Sequence, residues 1–377
     1  MTARPVVLFA GGGTGGHLYP ALALADALVE LRPDVRAVFA GTAWGIEARV
    51  LPERGVEHLL LPVRGFARGV SWWRHLGVLP ALLASLLRMA EWIHAHRPSV
   101  VVVTGGYAGA PAGLGAVLSR TPLVLQEQNA VPGATTRLLS RWAARIHVAY
   151  PEVEALLPRR ARAAIRVSGN PIRPPRAFDP GEARRALALD VERPVVLIVG
   201  GSQGSAALNA AALDLVRRAG EDPGFQLLWS TGPRHIEAVE AEIATIGARP
   251  WVHTSGFLTE MPLALAAADL AVSRAGAMAT SELLAWGVPA ILVPLPTSAA
   301  GHQERNARAL AEAGCALHLP EAEIDGVRLS EGVHALLGDS HRRSRMHAAA
   351  RARAFPDAAA IIARDLAELL PASSRSA

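Results

Sequence analysis

The chain has 377 residues, 51% hydrophobic and 19% charged, a length that suits two domains and a composition that excludes disorder outside the Ser-rich tail after Pro371. All 38 Lys+Arg residues are Arg and the single cysteine is Cys315, which excludes a Walker-type GK[ST] loop, a Schiff-base lysine, a pyridoxal enzyme, an internal disulfide and a thiolate metal cage. The net charge of +5 suits anionic partners, but no basic run interleaved with aromatics occurs, so nucleic acid is not expected as a partner.

In chain order, the first element is a strand, the apolar run Pro5 to Ala10, and "GGGTGGH" joins it to a helical pattern starting near Tyr19. No basic-then-apolar leader precedes this strand, so a cytoplasmic setting is expected. Gly11, Gly13 and Gly16 satisfy G-x-G-x-x-G, which makes a dinucleotide the first reading. The next strand, "AVFAGT", argues against it. A Rossmann NAD site wants an acid at that strand's end to hold the ribose, and Glu47 comes several residues late.

Ser71 to Trp92, "SWWRHLGVLPALLASLLRMAEW", sets Trp72 and Trp73 among Arg68, Arg74 and Arg88 at the head of a mostly apolar stretch. Its pattern fits a helix lying in a membrane interface and equally a core helix with aromatic ends. The uncharged stretches Pro98 to Ser119 and Leu283 to Gly301 both contain Pro and Gly, which suits strand, turn and helix rather than a membrane span. Further buried-strand runs are "VVVVTGG" and "PLVLQEQ". From Arg193, "RPVVLIVGGSQGSAALNAAALDLV" repeats the opening design of strand, glycine turn and helix, and "QLLWSTG", "LAVSRAG" and "AILVPLP" follow. The expectation is an α/β chain of two doubly wound halves. Ligands in such sheets sit beyond the carboxyl ends of the strands.

Chemistry is suggested by three features. Only four Asn and five Gln occur, and eight of the nine fall in "QEQNAVPG", "SGNPIR", "GGSQGSAALN" and "GHQERNA", which marks these segments as site candidates. Two glycine loops at helix N-termini can each hold phosphate through backbone N–H groups. His17 adds nothing to a phosphate loop unless protonated, whereas removing a proton from a hydroxyl calls for a base of near-neutral pKa; the other reading is a histidine that braces the loop. Glu127 is the next candidate base.

"GGGTGGH..PALALA", "GT..GIE...LP..G", "GGYAGAPAGLGA", "QEQNAVPGATTRLLSRWA", "GNPIR", "GGSQGSAALN", "SRAGAMATSELLAWGVPAILVPLP" and "HQERNARALAEAGCA" stand in the order of a known pattern. From Val6 to Ala316, with a weaker echo at "FPDAAAIIARDLAELL", the chain resembles the MurG family of peptidoglycan synthesis. Gln126 and His302 depart from residues common there. The resemblance implies a GT-B fold of two Rossmann-like domains facing a cleft: an acceptor and membrane domain at 1–166, a UDP-GlcNAc domain at 167–350, and a helix at about 355–370 returning to the first. It implies inverting transfer of GlcNAc from UDP-GlcNAc to the C4 hydroxyl of MurNAc in lipid I, on the cytoplasmic side of the cell membrane and in peripheral contact with anionic lipids.

Under the resemblance, His17 and Glu127 are the catalytic candidates. Ser202, Gln203 and Arg173 meet the donor diphosphate, Glu282 the ribose, and Leu258 with Ala277, Met278, Ala279, Thr280 and Ser281 the uracil and α-phosphate. Asn129 and Gln303 meet the GlcNAc hydroxyls, and Thr14, Gly15 and Gly16 the cleft side of the sugar. Arg274 and His302 are weaker candidates. Spacing alone also fits Glu282 as a carboxylate in the first turn of its helix, answering the helix dipole. No Asp-x-Asp occurs, so no metal and no cofactor are expected. The alternatives are another GT-B enzyme, such as a diacylglycerol glycosyltransferase or UDP-GlcNAc 2-epimerase, and a two-domain binding protein without activity.

Overall fold

The structure is a computed structural model that describes residues 4–63 and 78–372. Two compact units divide the chain: one runs to Arg173 and resumes at Asp357, and the other is Pro174–Pro356.

The first unit alternates strand and helix: β1 (Val6–Gly11), α1 (Gly15–Leu31), β2 (Arg36–Thr42), α2 (Glu47–Glu53), β3 (His58–Leu61), α3 (Val78–His96), β4 (Val100–Gly105), α4 (Gly106–Leu118), β5 (Leu123–Glu127), α5 (Ala134–Leu139), β6 (Arg145–Val148), α6 (Val153–Leu156) and β7 (Ile165–Val167). All described pairings are parallel, in the order β3-β2-β1-β4-β5-β6-β7. β1 and β4 are buried along their whole length, which is why they read as unbroken apolar runs. α1 begins at Gly15, not near Tyr19; Gly15 and Gly16 have no side chain to contribute to the helical period. Its buried face, Leu18, Ala21, Leu22, Ala25 and Leu28, follows i, i+3, i+4, i+7 spacing.

Trp72, Trp73 and the rest of 64–77 lie outside the described residues. In α3, Ser85, Met89 and Ile93 form a buried stripe, while Leu83 and Leu87 are 58% and 64% exposed. The described part of the segment therefore has a core face and an uncovered apolar edge.

The second unit contains α7 (Pro180–Ala186), β8 (Val195–Val199), α8 (Ala206–Arg218), β9 (Gln226–Ser230), α9 (Ile236–Ile246), β10 (Val252–Ser255), α10 (Met261–Ala267), β11 (Leu270–Ser273), α11 (Ala277–Trp286), β12 (Ala290–Leu292), α12 (His302–Glu312), β13 (Ala316–His318), α13 (Gly326–Gly338) and α14 (Ser340–Arg353). Its parallel sheet runs β10-β9-β8-β11-β12-β13 over a core that includes Phe225, Trp229 and Trp251. Side-chain caps start the helices here: Asp179 accepts from the Glu182 amide, Ser205 from Leu208, Asp325 from Arg328 and Asp339 from Arg342.

The closing helix, α15 (Ala358–Ala367), belongs to the first unit and packs Ile362, Ala363 and Leu366 into the core shared with α1. Polar contacts pin it to β6. Arg145 pairs with Asp365 and Glu368, and His147 Nε2–H donates to Asp365 Oδ2 at 2.9 Å while Nδ1 accepts from Ser168 Oγ at 3.1 Å.

Candidate functional site

In each sheet the strand order reverses at one place, between β1 and β4 in the first unit and between β8 and β11 in the second. Both places carry a glycine loop, and such switch points are where α/β sheets bind ligands.

At the first, three glycines leave β1. A methyl group on Gly12 would collide with Glu47 Oε1, and Gly13 adopts φ +89, a conformation that favours glycine. The Gly13 amide donates to Glu47 Oε1 at 2.8 Å and Oε2 at 3.0 Å. The Gly13 amide is thus committed to an internal carboxylate, and what this loop can offer phosphate is its remaining amides. Glu47 follows its strand too late for a ribose site, and the route it takes, back into the loop, has no local sequence signal.

His17 is the third residue of α1. Thr14, the N-cap, makes no side-chain cap bond; its hydroxyl instead stands 3.2 Å from His17 Nδ1. Thr104 Oγ1 donates to the His17 carbonyl at 2.8 Å, and the ring packs where Gly105 at the end of β4 has no side chain. Desolvation lowers the His17 pKa, against the opposing pull of Glu127, a hydrogen bond to the Gly12 backbone, and Glu47. The half-buried imidazole is therefore neutral at pH 7 and able to accept a proton.

Glu127, the last residue of β5, is buried and heavily engaged. It accepts from the Gly133 amide at 2.9 Å, Thr136 Oγ1 at 2.6 Å, and the Asn129 amide and Nδ2 at 3.2 and 3.3 Å. This set organises the turn from Glu127 to α5 and carries Asn129 with it. Nearby amides act as scaffold: Gln126 Nε2 donates to Asn170 Oδ1, Asn170 Nδ2 to the Gln128 carbonyl, and Gln128 Nε2 to the Thr104 carbonyl.

In the second unit a cavity of about 570 Å³ opens beyond the ends of β8 and β11. Its walls include Gly200, Gly201, Gly204, Ser205 and Ala206 at the start of α8, Gly276 and Ala279 at the start of α11, and Arg274, Leu295, Gln303 and Glu321. Two helix N-termini thus border one cavity, the arrangement that attracts phosphate. Arg274 is buried, donates to Ser205 Oγ at 2.6 Å and the Val293 carbonyl at 3.2 Å, and pairs with Glu321. Its guanidinium ties the cap of α8 to the end of β11.

Of the residues named from sequence for the donor, Ala279 and Gln303 line this cavity, and Gln303 Oε1 accepts from the Leu295 amide at 3.0 Å. Ser202 and Gln203 stand exposed at the loop tip, between Gly201 and Gly204. Ala277, Met278, Ser281 and Glu282 are half-buried along α11, and Thr280 is buried with its hydroxyl on the Gly276 carbonyl at 3.1 Å. Because α11 begins at Ala277, Glu282 stands in the second turn, which corrects the first-turn placement and weakens the helix-dipole reading. Leu258 is half-buried beyond β10, and Arg173 is exposed at the end of the first unit. Glu47, Thr104, Ser205 and Glu321 were missed; each acts through contacts distant in sequence.

Comparison with known proteins agrees with this arrangement. The glycosyltransferase family 28 N-terminal domain matches residues 7–148 and the family 28 C-terminal domain matches residues 195–362. A curated relative from Salinibacter ruber, named UDP-N-acetylglucosamine--N-acetylmuramyl-(pentapeptide) pyrophosphoryl-undecaprenol N-acetylglucosamine transferase, is 44% identical over 98% of this chain and 98% of its own. One of the same name from Chlorobium luteolum is 42% identical over 96% and 98%. A crystal structure of Acinetobacter baumannii MurG superposes with a TM-score of 0.78 at 25% identity, covering 97% of this chain and 99% of that one.

Proposed function

The chain belongs to glycosyltransferase family 28, and from that premise we propose the roles by which its residues transfer GlcNAc from UDP-GlcNAc to the MurNAc of lipid I, giving lipid II. The observation that carries the reading is near-full-length identity with relatives named for this reaction.

The second unit binds the donor, with its diphosphate against the N-termini of α8 and α11 and its sugar toward Gln303. Arg173, Ser202, Gln203, Leu258, Glu282 and residues 277–281 serve the same donor. The first unit receives the acceptor. His17 takes the proton of the MurNAc C4 hydroxyl as that oxygen bonds to the anomeric carbon. The bond from that carbon to the β-phosphate oxygen breaks, its electron pair leaves with UDP, and the configuration inverts. Helix N-termini and Arg274 meet the charge that develops on the leaving group. Glu127 holds Asn129 and the α5 turn in place; its four donors suit positioning better than proton transfer.

Because the acceptor's lipid stays in a bilayer, we place the enzyme at the inner membrane surface, bound to anionic headgroups through the segment that includes Leu83 and Leu87. Among the described residues no helix is long and apolar enough to cross a membrane. The test is to offer labelled UDP-GlcNAc with a lipid I analogue or with diacylglycerol. Label is expected on the lipid I analogue alone; transfer to diacylglycerol would refute the acceptor assignment.

A further inference from the structure

The first glycine loop encloses an acid that the reaction described above does not use. Glu47, the first residue of α2, is fully buried. Besides the Gly13 amide, its Oε1 accepts from the Thr42 amide at 2.8 Å and Thr42 Oγ1 at 2.7 Å. Space for it is made by absent side chains: a methyl group on Gly12, Gly41 or Gly45 would collide with Glu47. The end of β2, the start of α2 and the turn after β1 thus converge on one carboxylate. It occupies the position at which a glycine loop ordinarily offers its amides to an anionic ligand.

We propose that Glu47 is the positioning residue of this loop, a built-in anion that locks Gly12 and Gly13 and thereby holds the His17 imidazole against the acceptor hydroxyl. The proposal rests on the reading of His17 as the base. His17 follows Gly13 by four positions, so a shift at the lock is passed directly to the ring. The charged groups facing His17 are Glu127 from β5 and Glu47 from α2, and both favour its protonated form. β4 presents Thr104 and Gly105, which carry no charge, and Tyr107 of α4 lies beside Gly13.

The test uses the full-length enzyme with UDP-GlcNAc and a lipid I analogue. Glu47→Gln keeps the shape and removes the charge. It is expected to lower kcat roughly 10- to 100-fold at unchanged donor KM, and to speed hydrogen exchange at the Gly13 amide. With one carboxylate gone His17 loses its proton more readily, so the acid limb of the kcat profile should move to lower pH. Gly12→Ala keeps the charge but displaces the carboxylate, and should lower kcat as well. Wild-type kcat in Glu47→Gln would overturn the proposal, as would a loss of kcat with the limb and the Gly13 exchange both unmoved. Should Glu47→Gln fail to fold, unchanged kcat in Gly12→Ala overturns it alone. If His17→Ala keeps wild-type kcat while Glu47→Gln still frees the Gly13 amide, the base assignment fails and the lock stands.

Discussion

At the residue scale, burial and charge divide the work among three acidic or basic groups. His17 is desolvated enough to be neutral at pH 7 and close enough to Glu127 and Glu47 to stabilise the imidazolium that forms on proton transfer. His17→Ala is expected to lower kcat roughly 10²- to 10⁴-fold with little change in donor KM. In the wild type the acid limb should lie below the ordinary histidine value of 6.5, because the pKa is lowered, and it should vanish in the variant. A variant that keeps this limb and most of its kcat would move the base elsewhere. Glu282→Ala should raise donor KM by the loss of a charge-assisted hydrogen bond, roughly 1.5 to 3 kcal/mol; unchanged KM with a lower melting temperature would return Glu282 to a structural role. The histidine stands out in the sequence because its type is foreign to a phosphate loop. Glu47 does not, since its partner Gly13 lies 34 positions away and nothing in "GTAWGIE" says which way the side chain turns.

At the element scale, the strands were legible for a physical reason: strands covered on both faces leave no polar alternation and read as apolar runs such as "VVVVTGG" and "LAVSRAG". Helix starts were less so, because α1 opens on two glycines and α11 on "AMAT", where the period is weak. The amide-rich segments were found where strands end, yet Gln126, Gln128, Asn170, Asn209 and Asn306 donate side-chain N–H groups to backbone carbonyls or to one another. Composition reveals that amides are needed, not whether for ligand or for scaffold. The clamp on α15 makes a separate prediction. Asp365→Ala leaves the buried His147 Nε2–H without its acceptor and takes one of two carboxylates from Arg145, and should cost about 1.5 to 3 kcal/mol of stability. Burial lowers the His147 pKa despite Asp365, so the unfolded chain binds the extra proton. Stability contributed by neutral His147 is full above pH 6.5 and is lost as pH falls below it; His17 and His253, also lowered, act in the same sense. A melting temperature that rose on acidification through this range would contradict the assignment.

At the scale of the whole molecule, two parallel-sheet units each bring a glycine loop to a switch point, but the loops are built differently. The second lines an open cavity at two helix N-termini, whereas the first is closed by its own carboxylate. That difference follows from packing across the fold, so the shared G-rich pattern does not disclose it. On the proposed membrane reading, replacing Leu83 and Leu87 together with Trp72 and Trp73 by Ser should weaken binding to anionic vesicles while activity on a short-chain soluble acceptor persists. Equal loss of both would assign the segment to the core. On the proposed reading the C4 hydroxyl displaces UDP in line at the anomeric carbon, and helix N-termini and arginine, instead of a metal held by carboxylates, meet the leaving-group charge. The most direct measurement is the NMR structure of the product made from UDP-GlcNAc and a lipid I analogue in the presence of EDTA. Undiminished turnover and a β-anomeric linkage to O4 of MurNAc, inverted from the α-linked donor, are expected; an α-anomeric product, attachment at another hydroxyl, or turnover that stops until Mg²⁺ is restored would contradict this mechanism.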